Sequence, residues 1–90
     1  EIKQQKTGYM QERTIKLIWD FRGDDSYKTA QHHQQHLSDY LKKNGYKDKS
    51  GVDKITDGHA IAWIATPEHN MITLRDALIP HRAEVFEENY

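Results

Sequence analysis

From Thr14 to Phe21 the chain reads TIKLIWDF, and every second residue of that stretch, Ile15, Leu17, Trp19 and Phe21, is large and apolar. Lys16, Ile18 and Asp20 alternate with them, and a period of two predicts a half-buried strand. Gly23 breaks it. Asp24, Asp25 and Ser26 then place side-chain oxygens where the free amides of a helix N-terminus need acceptors, with negative charge at the positive end of the helix dipole. Beyond them the period changes to that of a helix. Tyr27, Ala30, Leu37, Tyr40 and Leu41 share one stripe from about Ser26 to Asn44, Lys42 and Lys43 occupy the last turn, and Gly45 follows.

After a polar stretch from Tyr46 to Ser50, Val52 opens a weak alternation through Ile55 that ends at Asp57-Gly58, a dipeptide suited to the positive backbone angles of a tight hairpin. His59 to Thr66, HAIAWIAT, is apolar on both faces, as a central strand covered on both sides requires. Thr66-Pro67 predicts a helix start, with Thr as cap and Pro preset for the first helical position. Met71, Ile72, Leu74, Leu78 and Ile79 form the expected buried stripe, and Pro80 stops the helix. Ala83 to Glu87 reads as an edge strand with Val85 and Phe86 on opposite faces. This βαββαβ order resembles the ferredoxin-like plait, an α+β fold with a four-stranded antiparallel sheet and two helices on one face. The expected layout is a flexible N-terminal arm over residues 1–13 and a single plait domain over 14–90. Plaits host many unrelated functions, so the resemblance carries no activity with it. The stretches IKLIWDFRG, HHQQH and RDALIPHR also resemble small bacterial proteins of unknown role.

Ninety residues hold 13 Lys plus Arg and 14 Asp plus Glu, a net charge of -1, and no cysteine. A chain this short buries only about 60% of the surface it exposes when unfolded, so it builds one core and gains from a partner subunit. Without cysteine there is no disulfide scaffold, cysteine nucleophile, Fe–S cluster or thiolate zinc site. No apolar run approaches the roughly 18 residues of a membrane span, and the expectation is a small soluble domain with no membrane partner, the cytoplasm being its default compartment. The first residue is Glu1 rather than Met, which leaves room for residues upstream. Nucleic acid is not expected as a partner. The net charge offers no basic footprint, and Asp57 stands where an RNA-recognition signature wants Lys or Arg.

In a plait the row Ile15, Leu17, Trp19, Phe21 must lie beneath the helices, which leaves Lys16, Ile18, Asp20 and Arg22 on the open face. The third strand adds Ile61 and Trp63 there, or Ala62 and Ile64 in the other parity. Exposed apolar patches mark association or ligand sites, so Ile18, Ile61 and Trp63 are the expected interface of a homodimer. The competing arrangement folds Ile2, Tyr9 and Met10 of the arm across the same face.

Six histidines are many for this length, and the plait gathers five of them at one end of the sheet. His32, His33 and His36 sit early in the first helix, while His59 and His81 open the third and fourth strands. At 100° per residue His33 lies beside the apolar stripe, His32 points nearly opposite it, and His36 sits at the boundary. His33, His36, His59 and His81, with Asp20 and Arg22, are the candidate lining of a site for a small polar ligand. Asp20 beside Arg22 also reads more simply as a surface ion pair. His32 and His36 are neighbours at i, i+4, and paired imidazoles with His81 as a third ligand make a metal site conceivable. Solvated and core-edge roles account for the same residues more simply, so neither metal nor cofactor is expected. The function read from the residues is a non-catalytic association or small-ligand-binding module. The alternative is an enzyme or metal-binding protein working through the histidine cluster.

Overall fold

Strand β1, Thr14–Arg22, runs one residue beyond the apolar alternation that predicts it. A computed structural model describes residues 12–86, and in it β1 is followed by α1 (Ser26–Lys43), β2 (Lys49–Thr56), β3 (His59–Pro67), α2 (Glu68–Leu78) and β4 (Arg82–Phe86). The sheet order is β2-β3-β1-β4, with every neighbour antiparallel. This is the ferredoxin-like plait. Ile2, Tyr9 and Met10, with Glu87 and Glu88, lie outside the described residues.

Parity is set by β1. Ile15, Leu17 and Trp19 pack with Ala62 and Ile64 of β3, Leu37 and Leu41 of α1 and Leu74 of α2, and Phe21, Tyr40, Tyr46, Met71 and Leu78 close the cluster. Opposite residues of an antiparallel pair share a face, so Ile18 beside Trp63 and Asp20 beside Ile61 belong to the other side. Gly51 of β2 is opposite Trp63. A Cβ there would collide with the indole, which packs against the bare glycine.

The turns explain the boundaries. Gly23, at φ 108°, takes a backbone angle other residues avoid, and its N–H donates to Gly58 O at 2.9 Å, which ties the first turn to the β2–β3 hairpin. Asp25 is the N-cap residue of α1, but the cap makes no side-chain hydrogen bond. At the other end Tyr46 N–H donates to Leu41 O and Gly45 N–H to Lys42 O, the paired bonds of a Schellman closure. Helix α2 begins differently from the expectation. Thr66 is buried inside β3 and Pro67 is the N-cap residue, so neither side chain caps the helix. Its first amides are taken from outside: Glu68 N–H donates to Arg13 O, and His69 N–H to the Glu12 carboxylate at 2.8 Å. The last two residues of the predicted arm are thus engaged with the domain, and Arg13 also pairs with Glu68. The expected stripe of α2 is corrected too. Leu74 is its one buried residue, Met71 and Leu78 are half-buried, and Ile72 and Ile79 face out.

Candidate functional site at the histidine end

Asp20 is the centre of the histidine end. It lies on the open face of β1, and His59, opening β3, puts Nε2 at 2.8 Å from Asp20 Oδ1. Arg82 of β4 donates from Nε to Oδ2 at 2.8 Å and from a terminal nitrogen to Oδ1 at 3.1 Å, a bidentate clamp. Its other terminal nitrogen donates to Glu84 at 3.1 Å. The expected partner Arg22 is replaced by Arg82, because the β1–β4 register carries the Arg82 side chain over the same face while Arg22 stands exposed at the strand end. The hydrogen bonds from Arg82, and after them the one shared with His59, hold the Asp20 carboxyl far below the usual carboxylate range against the opposing effect of burial. The same carboxylate raises the Arg82 guanidinium.

His81 binds the same residue from another direction. Its Nδ1 accepts the Asp20 backbone N–H at 2.8 Å. The ring also stands 6.3 Å from Phe21. His33 is on the helix side, with its ring centroid 5.3 Å from Trp19 and 5.4 Å from Phe21. Its Nε2 is buried without a hydrogen-bond partner. Burial pushes His33 below its ordinary value, and repulsion from His36 and His81 adds to the shift. His32 and His36 stack on each other on the exposed side of α1, centroids 4.9 Å apart.

The histidines therefore share an end of the sheet but not a site. His59 and Asp20 meet on the open face, His33 is under α1, His81 is at the rim, and His32 with His36 is outside. Among the described residues no three His, Asp or Glu side chains approach closely enough to hold a metal ion, so the set His32, His36, His81 is not assembled. Among the described residues, two shallow depressions lie away from Asp20. One is lined by Asp25, Lys28, Gln31 and His32, the other by Lys47, Asp48, Lys49 and Phe86 at the far end of the sheet. Arg82 is the member of the Asp20 cluster that the sequence reading missed. Its only signal was position two residues beyond Pro80, and the pairing that gives this position meaning is tertiary.

The rest of the open face is also occupied. Lys16 Nζ is 5.1 Å from the Trp63 ring centroid and 5.6 Å from that of Phe86, with Asp53 at 3.8 Å. Ile18 and Ile61 are only 1% and 4% exposed.

Compared with protein-family models, curated proteins and solved structures, the chain matches none. Among the described residues no helix is long and apolar enough to cross a membrane.

His33 yields a direct test. Replacing it with Leu removes a buried nitrogen that has no partner, and an unmade hydrogen bond of this kind costs about 1–3 kcal/mol. Native His33 binds its proton less readily than the unfolded chain does, so stability falls as pH drops below the ordinary 6.5 toward the lower folded value. His33→Leu is expected to melt higher than the parent at neutral pH, and the gap should widen at pH 5. A gap of the same size at both pH values would show that His33 is not held neutral by the fold.

Proposed function

We propose that this domain is a non-catalytic association module whose partner is a second copy of the same chain, met on the flank formed by α2 and β4. One observation supports this above the others. Helix α1 buries four residues, whereas α2 buries only Leu74 and β4 none. Ile72, Ile79 and Val85, on the helix side of that flank, are 56%, 69% and 40% exposed, and Phe86, on the opposite face of β4, is 38% exposed. Apolar surface left uncovered on one side of a small domain is what association conceals. Ile18 and Ile61, the interface expected on the open face, already lie out of solvent within one chain. Of that row, Trp63 retains partial exposure.

The alternative, an enzyme at the histidine end, draws support from the hydrogen bond between Asp20 and His59. A general base needs a carboxylate free to stabilise the imidazolium as it forms. Here Arg82 occupies both Asp20 oxygens, which favours a structural role for the pair. Sedimentation velocity on the full chain, from low micromolar to several hundred micromolar, is expected to reveal a dimer that grows with concentration. A monomer throughout that range would overturn the proposal.

A further inference from the structure

We propose, resting on the association reading above, that two copies join along the free edge of β4 in an antiparallel register centred on Ala83, merging their sheets into one. Among the described residues β4 is the outer strand beside β1, and all five of its residues are exposed. The direction of its backbone follows from its contacts with β1. Ile18 O accepts from His81 N–H at 2.9 Å, and Asp20 N–H donates to His81 Nδ1, so Ile18 and Asp20 turn their backbone groups toward β4. Alternation along β1 then gives Lys16 and Thr14 the same direction. Their partners are Arg82, Glu84 and Phe86, which therefore point their own backbone groups inward. Ala83 and Val85 are left with N–H and C=O directed to the open edge.

A two-fold axis between antiparallel edges must pass through a residue facing its own copy, because any other register would oppose the two faces of the sheet. Five centres are available on β4, and an axis at Phe86 would oppose residues that lie beyond the strand. Axes at Arg82 or Glu84 set like charges against each other, which is destabilising for directly opposed residues. An axis at Val85 places Glu84 against Phe86. An axis at Ala83 places Arg82 opposite the partner's Glu84 on both sides, in the closer, non-hydrogen-bonded pairs, while Ala83 exchanges both backbone bonds with its copy. Arg82 can take this contact without releasing Asp20. Its three hydrogen bonds use one hydrogen on each nitrogen, and each terminal nitrogen keeps a second. The sequence Arg-Ala-Glu is thus complementary to itself when reversed, which selects a second copy over an unrelated strand. The opposite edge is less suited, since the β2 register shifts between Lys54 and Thr56.

The absence of cysteine makes the register readable. Across the proposed axis the Cα atoms of position 83 are about 5.5 Å apart, within the range a disulfide spans. The two copies of position 85 are separated by about 13 Å along the strands, beyond that range. Full-length Ala83→Cys, oxidised mildly at a concentration where the parent sediments as a dimer, is expected to become mostly cross-linked on non-reducing gels. Val85→Cys should stay at the background of random collision. Glu84→Lys, which opposes two cations across the axis, should weaken dimerisation at least tenfold while melting close to the parent when dilute. A parent dimer with Val85→Cys linking as well as Ala83→Cys, with neither linking, or with dimerisation unmoved by Glu84→Lys, would overturn the edge pairing and leave association standing. A parent that never dimerises overturns both.

Discussion

Leu74→Ala is expected to destabilise the domain by about 2–5 kcal/mol, the range for truncating a fully buried leucine. Leu74 is wholly withdrawn from solvent and is the one buried residue of α2. Met71 and Leu78 only flank it against the core formed by β1, β3 and α1. The rest of the attachment of α2 is polar and terminal: Trp19 Nε1 donates to Leu78 O at 3.2 Å, and Glu12 and Arg13 hold its first turn. Those bonds do not replace the lost contacts, because a net hydrogen bond contributes only about 0.5–1.5 kcal/mol. Global stability of small domains is itself about 5–15 kcal/mol, so chemical denaturation should show a large fall in midpoint. Ile72→Ala, on the exposed side of the same helix, serves as the control and should change stability by less than about 0.5 kcal/mol. Equal effects of the two substitutions would mean that α2 is not anchored through Leu74.

The second large effect is expected at Asp20. Breaking one side of a buried ion pair costs about 3–5 kcal/mol. Arg82 is 46% exposed, so water recovers part of that loss, and Asp20→Asn is expected to cost about 2 kcal/mol at neutral pH. The pH dependence gives the stronger test. The folded carboxyl stays ionised below its ordinary value of 3.8, held there by Arg82 first and His59 second. Its contribution is complete above 3.8 and is lost as pH falls from there toward the folded value. Urea midpoints of the parent and Asp20→Asn should therefore differ at pH 7 and converge toward pH 2. A difference that persists undiminished at the acid end would place the stabilising interaction somewhere other than the Asp20 carboxylate.

These expectations depend on a fold that local pattern made largely legible. The alternation in TIKLIWDF, the apolar faces of HAIAWIAT and the Asp57-Gly58 turn between strands each act within a few residues, where backbone sterics and side-chain parity decide the outcome. The start of α2 was less legible. Thr66 has the residue type of a cap, yet the strand runs through it, and Glu12, 57 residues before the donor His69, supplies the acceptor. Helical spacing predicts Ile72 and Ile79 as core, yet both are exposed, because spacing reports which residues share a side of α2 but not how much of that side the sheet can cover.

The same division holds at the histidine end. Strand and helix order by itself determined that His33, His59 and His81 would gather with Asp20 at one end of a four-stranded sheet, because the alternating direction of the strands follows from their order. Only the tertiary structure decided that the sheet would part them, with His59 on one face and His33 on the other, and that Arg82 rather than Arg22 would clamp Asp20. A residue's parity along its own strand is local, whereas its partner across the sheet is set by register, and register comes from the packing of the whole core.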